Sequence, residues 1–121
     1  MRIAIVGNRK GWTYKEVCAK LKEYNVYKSD IIISGGADGV DTYAQQYAKE
    51  IGAKIEIFYP DPNKPNPERY YHRNREIVLS CDILIAFNRH PNARSGTTMT
   101  TNYAKTQKEK GGRPIQVIVI E

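Results

Sequence analysis

The chain has 121 residues, 40% of them hydrophobic, and a formal net charge of +6. That length predicts one domain spanning residues 1–121, because two would each be too small for a good core. No apolar run reaches the roughly eighteen residues a transmembrane helix needs, and Met1–Val6 is too short, and too soon broken by Gly7, for a signal peptide. The expectation is therefore no membrane partner and a cytoplasmic location.

Arg2–Val6 is a β-rich run followed by Gly7-Asn8-Arg9, which reads as a buried strand and its turn. Tyr14, Val17, Cys18, Leu21 and Tyr24 recur at helical period, and Thr13 with Glu16 has capping-box spacing. Asp30–Ser34 is a second apolar strand, stopped by Gly35-Gly36. From Asp38 to Ile51 the positions Val40, Ala44, Tyr47, Ala48 and Ile51 predict a second helix, ended by Gly52. Lys54–Phe58 reads as strand three. Residues 59–68 hold four prolines and exclude regular structure; a lid, a contact surface and a spacer are all open roles. A third helix is predicted over Arg69–Ser80, a fourth strand over Asp82–Phe87, and a fourth helix over residues 96–110, closed by Gly111-Gly112. Pro114–Ile120 is the fifth strand.

The order is β-α-β-α-β-α-β-α-β. Strands apolar on both faces that alternate with helices indicate a parallel sheet covered on both sides. Right-handed crossovers then predict an α/β, three-layer Rossmann-like sandwich with a five-stranded sheet in the order 3-2-1-4-5. In such a sheet a ligand crevice opens beyond the carboxyl ends of the strands where the order switches direction, which brings the loops after strands one, two and four together.

Those loops are unusual. Strand two leaves through Ser34-Gly35-Gly36-Ala37-Asp38-Gly39-Val40-Asp41, whose glycines permit close approach to bare backbone just before a helix N-terminus. Asp38 and Asp41 either cap that helix or accept hydrogen bonds from a ribose or base. Ser95-Gly96-Thr97-Thr98 opens the fourth helix and suits phosphate, with N-capping by Ser95 or Thr97 as the plain alternative. Arg9, Arg73, Arg75, Arg89 and Arg94 lie in or beside these loops, a placement suited to an anion. Arg9 is either a phosphate or carboxylate ligand or a surface arginine. Asn74 shares the buried face of the third helix with Tyr70, Ile77 and Val78 and needs a partner there, either a neighbouring backbone group or a ligand. Cys18 and Cys81 read as buried thiols without metal-ligand spacing. The first turn lacks Gly-x-Gly-x-x-Gly and no P-loop lysine motif occurs, so neither a dinucleotide cofactor nor a metal is expected.

Gly-Asn-Arg after strand one, Ser-Gly-Gly-Ala-Asp-Gly-Val-Asp after strand two, Arg73-Asn74 and Ser-Gly-Thr-Thr before the fourth helix together resemble the SLOG superfamily, in particular its small YspA- and YpsA-related domains. Ser34–Asp41 is also similar to the turn of the DprA family. The resemblance implies a nucleotide-type ligand over residues 7–9, 34–41 and 95–98, with self-association a further implication. In the LOG branch, phosphoribohydrolases that cut an N-glycosidic bond, the turn reads Pro-Gly-Gly-x-Gly-Thr-x-x-Glu. Here Gly96-Thr97 matches, but Thr100 stands at the glutamate position and Asn92-Ala93-Arg94 replaces the preceding Pro-Gly-Gly.

A threonine hydroxyl neither activates water nor stabilises an oxocarbenium ion well at neutral pH. The expected function is binding of a nucleotide-derived ligand by a sensor or sequestering module. One alternative is a hydrolase acting on a nucleotide's glycosidic or phosphate linkage through Asp38 or Asp41. Another is a single-stranded nucleic-acid binder, favoured by the basic charge and by Tyr27, Tyr59, Tyr70, Tyr71 and Tyr103 as stacking platforms.

Overall fold

The computed structural model describes residues 1–109 and 114–121. Along the chain run β1 (Arg2–Gly7), α1 (Tyr14–Glu23), β2 (Ile31–Ser34), α2 (Val40–Ile51), β3 (Lys54–Ile57), α3 (Glu68–Ser80), β4 (Ile83–Phe87), α4 (Gly96–Glu109) and β5 (Gln116–Ile120). Lys110 and the Gly111-Gly112 pair expected to close α4 lie outside the described residues. The strands form one five-stranded sheet in the order β3-β2-β1-β4-β5, and every neighbouring pair is parallel. Both the order and the class are those expected of a Rossmann-like α/β fold. Among the described residues no helix is long and apolar enough to cross a membrane.

The two-residue period of the strands divides the apolar side chains between two cores. Ile3, Ile5, Ile85 and Phe87 pack with Trp12 and with Val17, Leu21, Val40, Ala44 and Tyr47 of α1 and α2. Ala4, Val6, Ile33, Leu84 and Ala86 pack with Ile77, Val78, Cys81 and Ala104, the layer built by α3 and α4. Central strands buried on both faces need the continuous apolar runs that the sequence supplies.

α1 begins at the capping box. Thr13 Oγ1 accepts from Glu16 N–H at 3.1 Å, and the Glu16 carboxylate accepts from Thr13 N–H at 3.0 Å. Two otherwise orphaned donors are satisfied at once. Glu16 also pairs with Arg89, whose guanidinium lies 3.7 Å above the Trp12 ring centroid. Arg89, one of the arginines expected to face an anion, is thus spent on bracing the loop after β4 against α1. We expect Thr13→Ala to destabilise the protein by about 1 kcal/mol in urea unfolding; an unchanged midpoint would show that the Glu16–Arg89 pair alone holds the helix start.

Candidate functional site

β1 lies between β2 and β4, so the switch in strand order sets the loops leaving these strands around one opening. There a crevice of about 330 Å³ is lined by Val6, Gly7, Asn8 and Arg9 from the end of β1, Ala37 and Asp41 from the β2–α2 turn, Tyr70, Arg73, Asn74 and Ile77 from α3, and Ser95, Gly96, Thr97 and Thr100 from the start of α4. Ten of the residues expected at a site are therefore brought together: Gly7, Asn8, Arg9, Ala37, Asp41, Arg73, Asn74, Ser95, Gly96 and Thr97. Ser34, Gly35, Gly36, Asp38 and Thr98 are not among the lining residues. Val6, Tyr70, Ile77 and Thr100 join instead, and the helical spacing of Tyr70 and Ile77 with Asn74 was a signal available in the sequence.

The β2–α2 turn spends its polar groups on itself. Gly36 N–H donates to Ser34 Oγ at 3.3 Å, and that hydroxyl donates to the Asp41 carbonyl at 3.2 Å. Ala37 N–H donates to Asp41 Oδ2 at 3.2 Å, and Val40 N–H donates to the Asn8 carbonyl at 3.4 Å. Neither aspartate caps α2. Gly39 is the N-cap at φ 76° and ψ −126°, with no side-chain cap bond, and Asp41 already lies inside the helix. Asp38 is exposed.

Arg73, not Asn74, is the fully buried polar residue of α3, at 7% exposure. Its reach explains the difference: Nη1 donates to the Gly35 carbonyl, and Nε donates to Asn74 Oδ1 at 2.8 Å. Nη2 has no acceptor among the described residues. A Cβ on Gly35 would stand 3.0 Å from both the Arg73 guanidinium and Asp41 Oδ2, so a side chain there would have to push these two charged groups back. Asp41 is 6% exposed. Burial pushes its carboxyl up to about 6, against the opposing pull of the Ala37 N–H, the Arg73 and Arg9 guanidinium groups and the Gly35 N–H. Burial likewise lowers Arg73 from its ordinary value, and the nearby Asp41 charge counters part of that. A buried acid and a buried guanidinium facing one cleft are the perturbed pair that functional sites collect.

On the opposite wall Ser95 caps α4, its Oγ accepting from Thr98 N–H at 3.1 Å. The amides of Gly96 and Thr97 have no partner among the described residues, and they sit at the positive end of the helix dipole. Thr100 donates its hydroxyl proton to the Gly96 carbonyl at 2.8 Å.

A side-chain relay joins the two loops around the opening. Asn8 Oδ1 accepts from Trp12 Nε1 at 3.3 Å and from Arg89 N–H at 2.9 Å, while its Nδ2 donates to Asn88 Oδ1 at 3.3 Å. Asn88, buried at 2% exposure, passes the chain on from Nδ2 to Thr98 Oγ1 at 3.0 Å, and Thr98 in turn accepts from Ser95 Oγ at 3.1 Å. Thr98 thus positions the wall without lining it. Of the remaining arginines, Arg75 lies over the Tyr103 ring, its guanidinium carbon 5.3 Å from the centroid, and Arg94 is exposed.

The sequence model of the family described as DNA recombination-mediator protein A matches residues 1–64. Among solved structures, the chain is similar to DNA processing protein A (DprA) from Streptococcus pneumoniae, with 22% identity over 99% of this chain and a TM-score of 0.76. It is also similar to TM1055, a structural-genomics target, at 19% identity over 85% of this chain with a TM-score of 0.64. The chain spans 50% of the DprA structure and 67% of TM1055. No curated protein sequence matches it. These likenesses concern the fold.

Proposed function

The chain belongs to the DNA recombination-mediator protein A family, with a DprA-like Rossmann-like domain of the SLOG type, and we propose from that premise that its crevice binds the phosphate-bearing part of a nucleotide-type ligand. One observation carries the reading. A buried guanidinium with an unspent Nη2 and a second arginine, Arg9, line the same crevice as the unpartnered amides of Gly96 and Thr97. Charge-assisted donors converging in a partly desolvated cleft suit a phosphate oxyanion. Asp41, the only carboxylate among the lining residues, suits a sugar hydroxyl. A volume of about 330 Å³ lies at the lower end of the range for small-ligand sites, about 300–1,000 Å³.

Binding rather than glycosidic cleavage is the better reading, because the position where LOG enzymes carry glutamate holds a threonine whose proton is already spent on Gly96. A second reading, contact with single-stranded DNA, is supported by the family match and by the relative named a DNA processing protein, together with the net charge of +6. It predicts affinity that falls steeply with salt.

The test is a thermal-shift screen against nucleoside monophosphates, cyclic nucleotides, ADP-ribose derivatives and short single-stranded DNA. A ligand at about 100 times its Kd adds about 2.7 kcal/mol of stability. Arg9 is exposed, so Arg9→Ala is expected to fold normally and to weaken a phosphate-bearing ligand about tenfold or more. A flat screen with well-folded protein refutes the nucleotide reading. A response to DNA alone transfers the crevice to the second reading.

A further inference from the structure

Beside the crevice, between α3 and α4, lies a smaller cavity of about 110 Å³ lined by Tyr71, Asn74, Arg75, Met99, Thr100 and Tyr103. Asn74 and Thr100 line both spaces, so they form a shared wall rather than separating unrelated sites. Building on the nucleotide reading above, we propose that this second cavity is the base subsite of the same ligand, and that it takes a single-ring base, a pyrimidine.

Three features of the cavity support this. Its lining suits a planar ring: Tyr71 and Tyr103 border it, Arg75 lies over the Tyr103 ring with its guanidinium carbon 5.3 Å from the centroid, and the thioether of Met99 offers a soft, polarizable contact. A base stacks on either a tyrosine ring or a guanidinium plane. The volume is about a third of the neighbouring crevice, which fits one ring and leaves the sugar and phosphate to the larger space.

The third feature is the hydrogen-bonding state of the shared wall. Asn74 Oδ1 is taken by Arg73 Nε at 2.8 Å, which leaves Nδ2, two donors, without a partner among the described residues. Thr100 has given its proton to the Gly96 carbonyl at 2.8 Å, so its oxygen offers only lone pairs. The wall therefore presents a free amide donor at Asn74 Nδ2. Every pyrimidine base carries an acceptor for it, the ring carbonyl at C2.

The test compares affinities of UMP, AMP and ribose 5-phosphate for the whole chain by calorimetry. UMP is expected to bind at least tenfold more tightly than ribose 5-phosphate, and AMP to gain less than UMP. Tyr71→Ala and Tyr103→Leu, the second chosen to keep apolar packing against the α3–α4 core, should each bring UMP down toward the ribose 5-phosphate level while ribose 5-phosphate itself binds as before. UMP binding no better than ribose 5-phosphate overturns the subsite, and the crevice reading survives. Equal gains for AMP and UMP overturn the pyrimidine assignment. A base-dependent gain removed by Tyr70→Ala but untouched by Tyr103→Leu places the base in the main crevice and also overturns the proposal. If ribose 5-phosphate, UMP and AMP all fail to bind, the underlying nucleotide reading falls and this inference falls with it.

Discussion

Gly39→Ala is expected to cost about 2–6 kcal/mol of stability. Two terms add. Gly39 holds φ 76° with ψ −126°, a conformation that costs an L-residue about 1–3 kcal/mol. A Cβ there would also stand 2.4 Å from the Arg9 carbonyl oxygen, and forcing backbone apart in a packed region costs about 1–3 kcal/mol more. Domains of this kind hold only about 5–15 kcal/mol in total. Because the clash is with the Arg9 backbone, surviving protein should also bind its ligand poorly, through a displaced loop after β1. Urea unfolding decides the matter. A loss below about 1 kcal/mol would mean that the Arg9 loop moves aside freely and is not held by the start of α2.

Asp41→Asn should act in the opposite direction and stabilise the unliganded protein at neutral pH. The Asp41 carboxyl is raised from 3.8 to about 6, chiefly by burial. A raised acid means that the folded chain holds this proton more tightly than the unfolded chain does. Between about pH 4 and 6 the unfolded chain is ionised at this position while the folded chain is not, so stability falls as pH rises through that window. Above it the buried charge imposes a constant penalty. At about 1.4 kcal/mol per pH unit, the rise from 3.8 to about 6 makes the penalty about 3 kcal/mol. Asparagine keeps an oxygen to accept from Ala37 N–H and carries no charge. The stability difference between variant and parent should therefore be near zero at pH 4 and reach its plateau by pH 7. A difference that is flat with pH, or that grows toward acid, would show that Asp41 titrates elsewhere. If the variant is both more stable and unable to bind its ligand, the carboxylate is retained for recognition at the expense of the fold.

The layered α/β order was legible because each strand is an apolar run and each helix has a clear period, as in Ile31–Ser34 and Val40–Ile51. The loops of the crevice were legible for a related reason: Gly7, Gly35 and Gly96 interrupt those patterns at strand exits and a helix start. What was hidden depends on reach and on distant partners. Arg73 and Asn74 are neighbours on one helix, and only the Gly35 carbonyl, 38 residues away, decides that the longer side chain is the buried one. Asp41 resembled a cap because the exact start of α2 depends on the Gly39 backbone angle, which no residue pattern reveals. The Asn8–Asn88 contact spans 80 positions, and each asparagine alone looks like an ordinary loop residue. The bare backbone expected in the β2–α2 turn is partly taken, because Ser34 Oγ, Asp41 and the Asn8 carbonyl occupy its amides.

The position of β1 has a consequence for how the protein is made. β1 is made well before one of its two neighbours, β4, with Arg2 N–H donating to the Asp82 carboxylate across 80 residues. A nascent chain that ends before Ile83 can zip β1 to β2 and β3 while its other edge stays bare, a template for pairing with a second chain. Pairings this distant in sequence also form slowly. Arg9 does not share a crevice with the Gly96 and Thr97 amides until α4 has been made, so the crevice is completed late in synthesis. A chain cut short before Ile83 would thus be an adhesive fragment rather than a weakened binder.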